Sequence, residues 1–245
     1  MTHTTKFGLL LMSLVLPWGH VCEAAMPKAV QMAYHKDNCL KNESARSCAW
    51  LGATFEKKGK RDKARPYYKK ACHALIHPLA PACYLWGLLE KGPKARRAAF
   101  ARACRLHDPD GCTAMGEWMM RKKKPSLALP YYKKACARKD GRGCHRLARH
   151  WFRKGKLARS MNFLRRSCKL GYTPGCGSLG WLYESKTKQL AKAKKAYWVG
   201  CQMRGAAVCA RLGLLLRKLK KRKQAKAAFR KACRYGYKKA CAWVK

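Results

Sequence analysis

The chain has 245 residues, and its 57 lysines and arginines against 11 aspartates and glutamates give a formal charge of +46. Apolar residues make up 48% of it, which is enough for a hydrophobic core and excludes wholesale disorder. Its 15 cysteines are too many for an ordinary reduced protein and too evenly spread for one metal cluster. This composition is atypical of a cytosolic enzyme and indicates a folded, oxidised and strongly basic protein.

The N-terminus has the pattern of a secretory signal peptide. Lys6 precedes a short apolar run, and the small residues Ala24 and Ala25 follow at positions suited to signal peptidase. We therefore predict a signal peptide over residues 1–25, and a mature protein that is secreted or periplasmic. A spanning helix and a lipoprotein acylated at Cys22 are the minor alternatives. Cleavage leaves the charge at +46 and the cysteine count at an even 14.

The cysteines recur in pairs at a fixed period. The first member of each pair returns after 32 or 33 residues, which indicates a repeat protein with one supersecondary unit per period. An even count in an exported chain is typical of full oxidation, so we expect seven disulfides, with pairing inside each local pair as the natural connectivity. The pairs are Cys39/Cys48, Cys72/Cys83, Cys104/Cys112, Cys136/Cys144, Cys168/Cys176, Cys201/Cys209 and Cys233/Cys241.

Positions around each cysteine pair predict two helices per repeat. The third residue after the second cysteine is large and apolar and the fourth is small, as in Leu179 and Gly180. A recurring glycine in a helix is costly unless another helix passes close by. Upstream of the first cysteine, an aromatic or apolar residue such as Phe229 and usually a small residue such as Ala225 share one helix face.

Two sequence patterns resemble a known family. The segments CGSLGWLYES at 176–185 and YYKKAC at 67–72 and 131–136 are similar to the cysteine-rich branch of the Sel-like repeat proteins, the Helicobacter cysteine-rich protein family. The resemblance covers residues 39–245. It implies an exported solenoid related to tetratricopeptide repeats, in which each C-x(7)-C pair is a disulfide. In this chain that role falls on the five pairs from Cys104/Cys112 to Cys233/Cys241.

The expected architecture combines the repeat pattern with this resemblance. We predict an all-α, right-handed α/α solenoid of Sel-like, tetratricopeptide-type repeats held by disulfides. A lead-in at 26–38 precedes a solenoid domain at 39–245, which contains six helix pairs and a terminal cysteine-pair cap at 233–245.

The resemblance also implies an enzyme, because family members are commonly described as penicillin-binding proteins or weak β-lactamases. A serine enzyme of that type needs Ser-x-x-Lys with supporting S-D-N and K-T-G elements. Ser185 and Lys188 match the first element, and neither supporting motif occurs. His73 and His77 lack an evident third metal ligand. We therefore assign no catalytic residue, metal ligand or cofactor, and keep a β-lactamase-type hydrolase as the alternative function.

A series of arginines lies on the first helix of the repeats. In solenoids of this type the first helices usually line the concave face, so these side chains are expected to form a basic groove. Acidic residues are nearly missing, whereas a merely soluble surface mixes both signs. The predicted groove residues are Arg121, Arg146, Arg149, Arg153, Arg211 and Arg217.

A basic groove on an exported scaffold favours a binding function. We expect an acidic protein or an envelope polyanion as the partner, because a groove of one sign attracts the opposite charge. The basic, amphipathic segment 218–233 also suits contact with an anionic membrane surface, although its register is that of a docked solenoid helix. Export argues against a transcriptional role on nucleic acid. We expect a monomer.

The cysteine pairs predict the oxidation state of the purified protein. The purified mature protein should contain seven disulfides and no free thiol, so its intact mass should rise by fourteen hydrogen atoms on reduction. Alkylation without prior reduction should add nothing. Several alkylated cysteines in freshly purified oxidised protein would contradict the disulfide model.

Overall fold

The computed structural model describes residues 26–244, and the predicted signal peptide lies outside these described residues. Within this range the chain is helical and contains no strand. None of the described helices is long and apolar enough to cross a membrane. The helices are α1 (Lys28–Leu40), α2 (Ala45–Lys57), α3 (Arg61–His73), α4 (Ala80–Leu89), α5 (Pro93–Arg105), α6 (Pro109–Arg121), α7 (Pro125–Ala137), α8 (Gly141–Arg153), α9 (Leu157–Lys169), α10 (Thr173–Ser185), α11 (Leu190–Gln202), α12 (Ala206–Lys218), α13 (Arg222–Arg234) and a 3-10 helix at Lys238–Val244.

The helices belong to two compact units that divide after Leu79. The first unit contains α1 to α3, and the second contains α4 to α13 and the 3-10 helix. We call the even-numbered helices A helices and the odd-numbered ones B helices. In both units an A helix packs most extensively against the B helix that follows it, and in the second unit successive A helices also touch one another. The predicted all-α architecture of consecutive helix pairs is confirmed, and most of the predicted lead-in at 26–38 is helix α1.

A disulfide closes the turn from a B helix to the next A helix. In each bonded pair the first cysteine is the twelfth residue of its B helix, and the second is the fourth residue of the following helix, as with Cys136 of α7 and Cys144 of α8. Both Cys72 and Cys83 are also disulfide-bonded. Closing a loop this short removes chain entropy worth about 2.5 kcal/mol from the unfolded state. The other bonds join Cys39 to Cys48, Cys104 to Cys112, Cys168 to Cys176, Cys201 to Cys209 and Cys233 to Cys241.

Aspartates at the end of two of these turns cap A helices, and one of them also joins neighbouring repeats. Asp108 accepts a hydrogen bond from the backbone N–H of Gly111 at the start of α6. Asp140 accepts one from the backbone N–H of Arg142 at 2.8 Å, and its second oxygen accepts the hydroxyl of Thr113 at 2.5 Å. Capping satisfies donors that the first helical turn leaves free. The Thr113 bond ties α8 to α6, which sets the spacing of the A helices.

The recurring glycine of the A helix lies against a ring from the B helix. A Cβ on Gly180 would come within 2.5 Å of the Tyr197 ring, and one on Gly213 within 2.5 Å of Phe229 Cδ1. In the α8/α9 pair, Ala148 and Leu164 hold the corresponding positions, and both are buried. The ring therefore requires glycine, and the smaller leucine leaves room for a methyl group. Close helix packing is confirmed as the reason for the glycine pattern.

Substitution of this glycine tests the packing. We expect Gly213→Ala to destabilise the protein by about 1–3 kcal/mol, because the added methyl overlaps the Phe229 ring. The double variant Gly213→Ala/Phe229→Leu recreates the alanine and leucine combination of α8/α9. Its cost should be smaller than the sum of the two single costs by about 1 kcal/mol. Urea unfolding of the four proteins measures this coupling, and strictly additive costs would refute the packing explanation.

Candidate functional site

Four neighbouring pockets open between the A helices of the second unit. In order from α4 to α12 their volumes are about 460, 300, 400 and 530 Å³. Each shares two lining residues with the next, so together they form one continuous groove, which we call the arginine groove. The shared residues are, in order, Glu117 and Arg121, Arg149 and Arg153, and Ser178 and Trp181.

Arginine dominates the charge of this groove. The described residues that line its pockets include eight arginines and no lysine, although the chain has 35 lysines and only 22 arginines. The planar guanidinium group binds a carboxylate or phosphate through two parallel hydrogen bonds, which an ammonium group does not. The groove therefore presents oriented anion-binding groups as well as positive charge. The eight are Arg96, Arg121, Arg142, Arg146, Arg149, Arg153, Arg204 and Arg211.

The second pocket collects four of the arginines that the sequence singled out. Arg146, Arg149 and Arg153 lie two, five and nine residues after Cys144, which places them along one face of α8. Arg121 joins them from the last turn of α6. The cap on α8 and the disulfide at Cys144 hold the first turn of this helix. The position of Cys144 in that turn therefore determines which face of α8 carries the arginines.

The other two predicted arginines lie apart from this cluster. Arg211 lines the fourth pocket, at the far end of the groove. Arg217 lies over the Phe229 ring, 5.9 Å from its centroid, and lines none of the four pockets. The predicted set is therefore divided between one close cluster, one distant wall residue and one residue packed on a ring.

Three groove arginines were missed by the sequence analysis. Arg96 comes from the B helix α5, Arg142 from the first turn of α8, and Arg204 from the turn between α11 and α12. None of them follows the second cysteine of a pair on an A helix, as the predicted arginines do. Arg204 has a positive φ of 60°, and the reversal of the chain there places it beside the start of α12. Only the packing of neighbouring repeats brings these side chains to the groove.

Carboxylates hold some of these arginines and leave others available. Arg142 pairs with Asp110, and Arg146 donates from Nε to Glu117 at 3.1 Å. Among the described residues no carboxylate pairs with Arg149 or Arg153. The two paired arginines are fixed parts of the wall, whereas the other two are available to an anionic ligand.

The scaffold itself uses nearly all of the acidic residues. Of the ten that the structure describes, nine form a helix cap, a hydrogen bond or an ion pair within the chain, so they leave most of the basic side chains without a counter-charge. The nine are Asp37, Glu56, Asp62, Glu90, Asp108, Asp110, Glu117, Asp140 and Glu184.

Apolar and aromatic side chains form the floor of the groove. Tyr132 lies in the second pocket, where burial raises its pKa to about 12 and keeps the phenol neutral. Phe152 and Trp181 meet in the third pocket as an edge-to-face pair with centroids 5.6 Å apart. A lining that combines guanidinium groups with aromatic surfaces suits a ligand that combines negative charge with apolar groups.

His145 is a neutral part of this floor. Its Nε2 lies 3.0 Å from the hydroxyl of Ser178 on α10, a contact that joins two repeats. Burial, followed by the charges of Arg149 and Arg146, lowers its pKa to about 4. The imidazole therefore remains uncharged at physiological pH and adds a hydrogen-bonding group to the basic groove.

The residues considered for catalysis have structural roles or lie apart. Ser185 donates its hydroxyl to the backbone carbonyl of Trp181 at 2.7 Å, in the last turn of α10. Lys188 lies in the following turn, exposed and with a positive φ of 55°. Within residues 26–244 no group of three histidine, cysteine or acidic side chains is placed to hold a metal ion.

Comparisons with known proteins identify the repeat type. The model for the tetratricopeptide repeat matches residues 45–72 and 206–235, which correspond closely to α2/α3 and α12/α13. A protective antigen of uropathogenic Escherichia coli with an SLR fold superposes with a TM-score of 0.67 at 17% identity, over 89% of this chain and 51% of the antigen. The protein has the fold of Sel-like, tetratricopeptide-type repeat proteins.

Further solved structures support this assignment. The chain matches a Sel1 repeat protein from Oxalobacter formigenes with a TM-score of 0.61 at 15% identity, over 80% of this chain and 86% of that one. It matches a chain of the APC/C hetero-tetramer Cut9-Hcn1 with a TM-score of 0.60 at 18% identity, over 91% of this chain and 46% of that one. The chain spans about half the length of the E. coli antigen. No curated protein matches it.

The low pKa of His145 predicts a pH-dependent stability. Below pH 6.5 the unfolded chain binds a proton at this histidine that the folded protein excludes down to about pH 4, so the free energy of unfolding falls across this window. His145→Gln removes this dependence. Between pH 7 and 5 the unmodified protein should lose about 1 kcal/mol more than the variant, after allowance for partial exposure. Parallel pH dependences in urea unfolding would show that His145 does not contribute.

Proposed function

We propose that this protein is an exported binding scaffold whose arginine groove holds an acidic segment of a partner protein. Its disulfides suit an oxidising compartment outside the cytoplasm, in agreement with the predicted signal peptide. Tetratricopeptide-type repeats generally serve protein–protein contacts through the surface that their stacked helices create. The observation that carries the proposal is the row of eight arginines without a lysine along four connected pockets.

The lining of the groove favours an acidic protein over an envelope polyanion. A polyanion such as a polysaccharide or polyphosphate has few apolar groups and makes little use of an aromatic floor. Here Met120, Leu129 and Tyr132 lie in the same pocket as the available guanidiniums of Arg149 and Arg153. Arginine, aromatic residues and methionine are the types enriched where protein surfaces meet. A peptide with alternating carboxylates and apolar side chains would use both features.

The enzymatic alternative has less support. The hydroxyl of Ser185 donates to a helix carbonyl, and Lys188 lies exposed in the following turn. A β-lactamase-type hydrolase also needs supporting elements that the sequence lacks. Incubation of the oxidised protein with a chromogenic β-lactam should therefore give no turnover above that of a disulfide-rich control protein.

Charge-reversed and charge-conserving variants test the groove. The probe is a fluorescein-labelled twelve-residue peptide of alternating Glu and Leu or Phe, measured by fluorescence anisotropy. We expect Arg149→Glu/Arg153→Glu to weaken binding by about 100-fold or more, because repulsion replaces two charge-assisted hydrogen bonds. The lysine pair Arg149→Lys/Arg153→Lys keeps the charge and should still lose about tenfold, since an ammonium group cannot bind a carboxylate bidentately.

The matched control is Lys133→Glu/Lys134→Glu, which changes the net charge equally at two exposed lysines that line none of the four groove pockets. It should weaken binding about threefold or less. Equal losses in the two charge-reversed pairs would contradict a defined groove. Tighter, groove-dependent binding of a heparin or polyphosphate probe than of the peptide would replace the acidic protein with a polyanion as the ligand.

A further inference from the structure

A fifth pocket, outside the arginine groove and on the B helices, has a different cationic lining. It measures about 520 Å³ and lies between α11 and α13, with α12 beneath it. Its cations are Lys194, Lys195 and Lys231, and the described residues that line it include no arginine and no acidic side chain. The cations that line this pocket are thus lysines, whereas those that line the arginine groove are arginines.

An exposed tryptophan lines the same pocket as these lysines. Trp198 is 53% exposed, and among the described residues it is the one tryptophan in the set of exposed large hydrophobic side chains. The pocket beside it has an apolar floor formed by Leu212, Leu216 and Ala228. We call Trp198 with Lys194, Lys195 and Lys231 the lysine–tryptophan patch. An exposed indole beside three lysines is a feature that the core of the solenoid does not require.

The surrounding sequence has no negative charge to neutralise this patch. Residues 185–245 contain 20 lysines and arginines and no aspartate or glutamate. The last acidic residue before them, Glu184, accepts a hydrogen bond from the hydroxyl of Tyr197 at 3.0 Å and so serves the packing of α10 against α11. A positive electrostatic potential over a quarter of the chain attracts extended anionic surfaces.

We propose that the lysine–tryptophan patch docks the protein onto an anionic lipid surface. An indole ring favours the headgroup level of a membrane, because its body is apolar and its N–H is polar. Lysines beside it extend flexible stems whose ammonium groups reach lipid phosphates, and basic clusters bind anionic membranes additively. Nucleic acid fits less well, since sequence-independent binding of single strands uses several aromatic side chains in a row and this patch exposes one.

This docking site is separate from the arginine groove. The groove is lined chiefly by A helices from α4 to α12, whereas the patch lies on α11 and α13. A protein held to a membrane by its B helices would keep its groove available to a partner. The proposal goes beyond the proposed function and does not depend on it.

Vesicle binding tests the proposal with the oxidised mature chain. The probes are vesicles of pure phosphatidylcholine and vesicles with about 30% phosphatidylglycerol, which supplies the anionic surface potential. Binding is measured by co-sedimentation and by the blue shift of tryptophan fluorescence at low and at physiological salt. We expect binding to the anionic vesicles alone, with Trp198→Ala weakening it about fivefold or more and removing most of the blue shift.

Two triple variants separate the patch from the general charge. Lys194→Gln/Lys195→Gln/Lys231→Gln should weaken vesicle binding about tenfold or more, whereas Lys63→Gln/Lys133→Gln/Lys134→Gln, with the same change of charge, should weaken it about twofold. Circular dichroism and the count of disulfides establish that each variant is folded. The groove variant Arg149→Glu/Arg153→Glu should keep most vesicle binding, which distinguishes failure of this proposal from failure of the groove.

Three results would overturn the proposal. Equal losses in the two triple variants would assign binding to overall charge, and an unchanged affinity of Trp198→Ala would remove the indole from the contact. A labelled DNA fragment whose binding depends on the patch, while vesicle binding does not, would replace the membrane with nucleic acid.

Discussion

Disulfides that join the end of a B helix to the start of the following helix constrain the packing of the bonded repeats. A chain with a formal charge of +46 repels itself, and in water that repulsion opposes compaction. A covalent closure worth about 2.5 kcal/mol per turn offsets part of it in a way that does not depend on charge. Because the bond joins the twelfth residue of one helix to the fourth of the next, it also gives the bonded repeats the same register.

This shared register determines how the charges are distributed. The few acidic residues cap helices, as Asp108 and Asp140 do, or bind side chains of the framework, as Glu117 and Glu184 do. Because these contacts within the fold engage the acidic side chains, the remaining arginines and lysines define the surfaces that a partner meets. The separation of arginine in the groove from lysine around Trp198 then gives two surfaces of the same sign with different anion chemistry.

The candidate site was predictable where it follows a single helix. Arg146, Arg149 and Arg153 share a face of α8 because their spacing from Cys144 is helical, and local periodicity is visible in the sequence. Arg96 and Arg204 reach the groove from a B helix and a turn, so no single-helix pattern reveals them. Arg217 has the expected spacing and yet lies over Phe229, because the end of α12 meets the ring of α13 there.

The period, the helix pairs, the close approach at the small residues and the local cysteine bonds could all be predicted from the sequence. They depend on residues near one another in the chain, so they produce a repeating pattern in it. Which arginines are neutralised, and that the pockets join into a groove, became visible in the folded protein alone. Those outcomes depend on pairs such as Arg146 and Glu117, which come from different repeats 29 residues apart. Contact between side chains that far apart depends on how the helices stack, which the periodicity of one repeat does not encode.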